Sequence, residues 1–214
     1  MRAQMRTEIA EPDTASGILA AARSCLLADG YAGLSTRKIA QHAGVPLSQV
    51  HYHFGSKRAM VLALLEAENR RRLARQAAMY SQDVPLSRRY EQACDFLEDD
   101  LESGFVRVLQ EMIAAGWSTP EIAEAARSIL AGWYELLTEV ATEAAEVFGG
   151  LGPFTPVEVA TLIGNAFIGS ESMLLLGFDR HQMPIRASLR RVAEAIRLAE
   201  VRAGAVARER EVGR

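Results

Sequence analysis

The chain is short of nearly every pattern that marks an enzyme, a metal protein or an exported scaffold. Only two of its 214 residues are cysteine, Cys25 and Cys94, far apart and in no Cys-x-x-Cys pair. That argues against a disulfide framework or a zinc site and for reduced, mostly buried thiols, which favours the cytoplasm. Gly-x-Ser-x-Gly, His-Glu-x-x-His and a phosphate-binding glycine loop are absent, and "GGLGPF" lacks the third glycine and the preceding strand of a dinucleotide site. His51 and His53, two apart, diverge too far on a helix to share one ion. No metal and no cofactor are therefore expected. The opening "MRAQMRTEIAEPDT" has no apolar core of signal-peptide length, so secretion is not expected either. The longest apolar run, "VATLIGNAFIGSESMLLLGF", carries Asn165, Ser170, Glu171 and Ser172 and reads as a buried soluble helix, with no membrane span.

What is present is apolar material, 49% of the chain, enough to bury a core in one large or two small domains. The formal charge of −3 hides an asymmetry. Residues 1–58 hold 7 Lys and Arg against 4 Asp and Glu, a balance of +3, while the remainder holds 17 against 23, a balance of −6. Such a split suits a front end that meets phosphates.

No long stretch alternates with period two, whereas a period of three to four recurs throughout, which predicts an all-α fold of about nine helices. The first should span 14–29 and stop at Gly30. A second opens at the Ser35 cap, with Leu34 and Ile39 as a hydrophobic staple. A long helix is expected from the Ser56 cap to about 79, then others over 88–103, 105–115 and 120–148. "FTPVEV" supplies Thr155 as N-cap, Pro156 at the first helical position and Glu158 for a capping box. That helix should end near Gly177, and the last should run from about 184 past 199 into a frayed arginine-rich tail. Acidic "EDDLE", Glu98 to Glu102, reads as a solvated face. The expected domains are 1–55, an N-terminal arm and helix-turn-helix, and 56–214, a larger helical domain, joined by the helix that begins at 56.

The richest stretch is "STRKIAQHAGVPLSQVHYHFGSK". Two helices that cross steeply need a small residue in the first, a glycine in the turn and apolar wedges in the second. Ala40, Gly44, Val45 and Val50 meet those needs in order. With Ile39, Val45 and Val50 inward, the second helix presents Leu47, Ser48, Gln49, His51, Tyr52 and His53, side chains sized for base edges, thymine methyls and phosphates. Thr36 and Arg37 open the first helix, and Ser56 and Lys57 open the next, where helix N-termini and cations favour phosphate oxygens.

From Ile18 to Leu65 the sequence resembles the DNA-binding domain of the TetR family of bacterial transcription regulators. A helix ending in "DGY", then "STRKIAQHAGV", the triplet "YHF" and "SK" carry the resemblance. It implies that Arg37 reaches a base and Thr36 a phosphate, with Leu47, Ser48 and Gln49 at the major-groove face. Tyr52 and His53 would contact backbone or thymine methyls, and Lys57 a phosphate. His51 stands where the family usually has Tyr, at a phosphate contact that a neutral imidazole makes with shorter reach. Leu47, where some members place a polar base reader, would read a thymine methyl or nothing.

The resemblance also implies a homodimer formed by the last two long helices and a small-molecule effector site in the larger domain. Gly164, Ala166, Gly169 and Ser170 allow close helix approach beside Ile163, Phe167 and Leu174, and Leu189, Val192 and Ile196 form a stripe; internal packing is the alternative. Phe105, Met112, Trp117, Trp133, Tyr134, Leu137, Phe167 and Met173 are candidates for the pocket wall, each also explicable as core. Asn165 and Glu171 could orient a ligand or bond across a dimer. The expected function is a ligand-responsive regulator, most simply a repressor, on a palindromic double-stranded DNA operator. An all-helical enzyme or small-molecule carrier retaining a vestigial DNA-binding fold is the alternative. The "MRAQMR" arm reads as a disordered tail, with a minor-groove contact by its arginines as the other option.

Overall fold

The computed structural model describes residues 13–212, and the expectation for the "MRAQMR" arm lies outside them. Among the described residues there are nine α-helices and no strand. They are α1 (Thr14–Gly33), α2 (Thr36–Ala43), α3 (Leu47–Phe54), α4 (Lys57–Tyr80), α5 (Leu86–Glu102), α6 (Phe105–Gly116), α7 (Pro120–Phe148), α8 (Pro156–Leu175) and α9 (Ile185–Val212). The chain divides into two compact units, Met1–Leu65 and Glu66–Arg214. No helix among the described residues is long and apolar enough to cross a membrane.

In the first unit α1 buries Ile18, Ala22, Cys25 and Leu26, a spacing of three to four that keeps one face inward. Gly30, at φ 68° and ψ 175°, interrupts the helix, and one further turn carries the chain to Gly33. α2 packs on α1 and α3 on α2, with Leu34, Ile39, Ala40 and Val50 buried. The start of α4 adds Met60, Val61, Leu64 and Leu65 to the buried set.

In the second unit α5 packs along α9, and α7 packs against both α6 and α8. The core joins Tyr90, Cys94 and Leu97 of α5, Val106 of α6, Phe167 of α8, and Ile185, Leu189 and Ala193 of α9. The capping box of α8 forms as its sequence requires: the Glu158 N–H donates to Thr155 Oγ1 at 3.3 Å and the Thr155 N–H to Glu158 Oε2 at 2.7 Å. α5 takes its cap from far along the chain, since the Ser87 N–H and Oγ–H donate to the Glu200 carboxylate at 3.0 and 2.7 Å. Arg89, buried, donates to the Tyr80 and Val84 carbonyls and to both oxygens of Glu143, tying the end of α4 and the following loop to α7. α9 continues as helix to Val212, through the arginine-rich stretch expected to fray, whose Arg, Ala and Glu are strong helix formers.

Candidate functional site

Ser35 starts α2 by accepting the Lys38 N–H at 3.2 Å, which fixes Thr36 and Arg37 in the first turn. Gly44 ends it in the left-handed region, φ 67°, where a side chain would be strained, and the Val45 N–H reaches back to the Ala40 carbonyl at 3.1 Å. Pro46 is the residue before α3, where its missing N–H leaves no gap. Val50, 1% exposed, anchors α3. The opposite side is therefore outward: Ser48, Gln49, His51 and Tyr52 are exposed, while Leu47 and His53 are half-buried. Tyr52 is 82% exposed, with its ring set edge-on to His53. An apolar-aromatic ring that open to water has no packing reason to be there.

The cations beside this face differ in their engagement. Lys38 pairs with Asp29 at 2.6 Å, whereas Arg37 is exposed and has no ion pair among the described residues. Lys57 Nζ donates to the Tyr31 carbonyl at 2.8 Å and lies 4.4 Å from the centre of that ring, which leaves two N–H groups for a phosphate. His51 Nδ1 lies 2.9 Å from the Gly55 carbonyl oxygen. A carbonyl only accepts, so Nδ1 carries the proton, and Nε2 can donate to a phosphate only when the ring is an imidazolium. Sequence reading, which gave the neutral ring that contact, had no view of the Gly55 carbonyl.

The second unit holds two adjoining cavities. The first, of about 70 Å³, lies among α4 to α8 and is lined by Arg72, Gln76, Asp100, Phe105, Trp133, Phe167 and Glu171, among others. The second, of about 250 Å³, is almost wholly apolar and is lined by Leu86, Tyr90, Ala141, Ala144, Phe148, Ile163, Val192 and Ile196, among others. Tyr80 and Leu137 line both. Asp100 is neutralised by Arg72 at 2.9 Å and Arg75 at 3.0 Å, and the Arg72 guanidinium also stacks 3.6 Å from the centre of the Phe105 ring. Glu171 has no ion pair among the described residues, although Arg72 lines the same cavity. It accepts from Gln110 Nε2 at 3.0 Å, and Ser172 Oγ holds the other end of that amide at 2.8 Å. Burial pushes the Glu171 carboxyl up to about 7, with Gln110 opposing and Asp100 adding to the rise. Burial likewise raises Tyr80 and Tyr90, so both phenols stay protonated.

Residues 18–64 match the sequence model of bacterial regulatory proteins of the tetR family, a stretch that runs from the first buried residue of α1 into α4 and contains the whole helix-turn-helix. The first unit thus carries the sequence signature of the TetR family's DNA-binding region. Solved structures of regulators share the fold more widely. A putative transcriptional regulator from Saccharomonospora viridis in complex with choline is 20% identical with a TM-score of 0.72, over 86% of this chain and 97% of that one. The reduced form of NemR from E. coli is 19% identical with a TM-score of 0.69, over 84% and 95%. FadR from Bacillus subtilis in complex with stearoyl-CoA is 16% identical with a TM-score of 0.65, over 84% and 96%. At these identities the likeness is one of fold. No curated protein matches the chain.

Within this fold the sequence-expected pocket residues divide. Phe105, Trp133, Leu137, Phe167 and Glu171 line the first cavity, and Leu137 the second as well. Met112 is fully buried, Met173 packs on the core, and Trp117 is 84% exposed at the end of α6. The Tyr134 hydroxyl donates to Asn165 Oδ1 at 2.7 Å, away from both cavities. Of the residues expected at a dimer interface, Phe167 and Leu189 belong to the unit's own core, and Ile163, Leu174, Val192 and Ile196 pack against it. Gly164 makes room for the Tyr134 ring, which a Cβ there would strike, while Gly169 is exposed and Ser170 half-buried. The large apolar side chains left exposed on these helices, among the described residues, are Val157, Leu162 and Leu175 on α8 and Leu198 and Val201 on α9. One expectation is corrected: "EDDLE" is not wholly a solvated face, because Asp100 is buried between Arg72 and Arg75. Sequence reading also missed Arg72, Gln76, Tyr80, Tyr90 and Gln110. Their signal was a polar or phenolic residue on the inward phase of a helix, which needs the partner helices to be seen.

Proposed function

We propose that the protein is a cytoplasmic, ligand-responsive transcription regulator without enzymatic activity. It binds a palindromic double-stranded DNA operator as a homodimer, represses transcription there, and leaves the operator when a small molecule occupies the second unit. The observation that carries the reading is the outward face of α3. One buried valine anchors a short helix whose other side offers Ser48, Gln49, His51 and Tyr52, with Arg37 exposed nearby, the donor and acceptor set that a major groove reads. A single helix of this length makes few base contacts, which favours two copies on an inverted repeat. The exposed Val157, Leu162, Leu198 and Val201 on α8 and α9 are the apolar surface a second copy would cover.

The adjoining cavities support an effector site, as do the choline and stearoyl-CoA held by two regulators of the same fold. α4 supplies Lys57 beside the DNA-reading face and Tyr80 in the cavity wall, so it is the covalent link through which occupancy would shift operator affinity. A coupling of about 1–3 kcal/mol is enough for a 5- to 150-fold effect. Selection from a random double-stranded DNA pool at stated salt tests the reading. An inverted repeat among the winners is expected; no enrichment would refute it and leave an all-helical carrier or enzyme, built around the cavities, as the alternative.

A further inference from the structure

We propose that the two cavities of the second unit form one site for an amphiphilic amine, with a protonated amino head in the smaller chamber against Glu171 and an apolar tail in the larger one. The proposal rests on the effector-site reading above and names the ligand class.

The two chambers differ in chemistry and share a wall. Tyr80 and Leu137 line both, so a ligand spanning the two chambers would lie against these side chains. The smaller has room for a head group about the size of an ammonium with its first carbon. Beside the Asn69 amide, its wall presents two acceptors short of donors, on Glu171 and Gln76. Glu171 takes a single hydrogen bond from Gln110 and has no ion pair among the described residues, although Arg72 lines the same chamber. Arg72 is spent on Glu68, Asp100 and Ser103, and Arg75, which does not line the chamber, pairs with Asp99 and Asp100 and keeps a buried Nε–H without an acceptor. Gln76, in the same wall, has a buried Oε1 with no donor. A carboxyl and an amide oxygen both short of donors call for N–H groups, which a primary ammonium has and a quaternary one lacks. An anionic head would meet Glu171 and Asp100 and find no free cation. The aromatic rings of Trp133 and Phe167 line the same chamber and suit a cationic head better than an anionic one.

The larger chamber argues for the tail. At about 250 Å³ it exceeds the roughly 150 Å³ of a dry apolar cavity that takes benzene. Apart from the phenols of Tyr80 and Tyr90, its walls are aliphatic or aromatic. Tyr90, 7% exposed, has a hydroxyl with no partner, so the tail can carry one acceptor without penalty. The burial that keeps the empty Glu171 carboxyl partly neutral also explains how the chain tolerates it without a ligand, and an arriving ammonium would drive it to ionise.

The test is calorimetric titration of the full chain at pH 8 with n-octylamine, n-octanol, octanoate and octyltrimethylammonium, followed also by Trp133 fluorescence. Octylamine should bind at least tenfold more tightly than the other three, and butylamine more weakly than octylamine. In Glu171→Gln the advantage of octylamine over octanol should vanish, with octanol unchanged. In Ala144→Trp, which fills the larger chamber, the chain-length effect should be lost. Octanol or octanoate binding the wild type as well as octylamine does would overturn the amine proposal while leaving a ligand cavity in place. If none of the four binds, the amine proposal and the effector-site reading fall together. The head-group series needs no variant, so a misfolded Glu171→Gln would not rescue the idea.

Discussion

Replacing Arg89 with methionine keeps the length of the side chain and removes every hydrogen bond it makes, which isolates what its guanidinium does for the second unit. Arg89 is 7% exposed, and its Nη1 and Nε donate to the Tyr80 carbonyl at 2.7 Å and the Val84 carbonyl at 2.9 Å. Tyr80 is the last residue of α4, so its carbonyl has no helical partner. Stranding each acceptor should cost about 1–3 kcal/mol. The Glu143 pair adds less, because Glu143 is 42% exposed and can turn to water. Arg89→Met should therefore lower stability by about 3 kcal/mol, and Glu143→Gln by no more than about 1 kcal/mol. Both tryptophans, Trp117 and Trp133, lie in the second unit, so urea unfolding followed by tryptophan fluorescence reports on that unit without assuming that the two units unfold together. If Arg89→Met cost less than about 1 kcal/mol, or if Glu143→Gln cost as much as Arg89→Met, the carbonyl argument would be wrong.

Arg37→Ala should cost about 1–3 kcal/mol on the selected operator and relax preference at one base position, measured by competition among single-base variants. An equal loss on every sequence would make Arg37 a phosphate contact. Lys57→Ala should lower DNA affinity evenly and flatten its salt dependence; an unchanged salt slope would remove it from the interface. Gly164→Ala drives a Cβ into the Tyr134 ring and should destabilise the second unit by about 1–3 kcal/mol, with Tyr134→Ala in the same chain relieving most of the added strain in a double-mutant cycle. Glu171 is held at about 7, above the ordinary carboxyl value of 4.5, so between those values the folded chain keeps a proton that the unfolded chain releases. Its contribution to stability is thus present in acid and lost as pH rises from about 4.5 to about 7; Glu171→Gln should flatten that fall, and an unaltered pH profile would show the carboxyl to be solvated.

What was legible from sequence was local. Ser35, Gly44, Pro46 and Val50 each act through neighbours within a few residues, and their spacing was enough to place the helix-turn-helix and its outward side chains. The α8 start was equally plain, because a capping box is written within four residues. The cavities were legible only in part, since lining is decided by which helix stands opposite. Trp133 and Met112 are both large residues on inward helix phases, yet one lines a cavity and the other is plain core. Asp100 looked like one of a run of solvated acids, and only Arg72 and Arg75, one turn apart on another helix, show why it is buried.

The same limit bears on α8 and α9. Periodicity shows that a helix has an apolar face, and Ile163, Phe167, Leu189, Val192 and Ile196 do form one, but period alone does not say whether a face meets its own chain or another. Here that face closes the core of the second unit, which leaves Val157, Leu162, Leu175, Leu198 and Val201 exposed. Five exposed β- or γ-branched side chains on two adjacent helices are more than scattered surface apolarity requires, and an isologous pairing of these helices would cover such a surface without disturbing the core beneath.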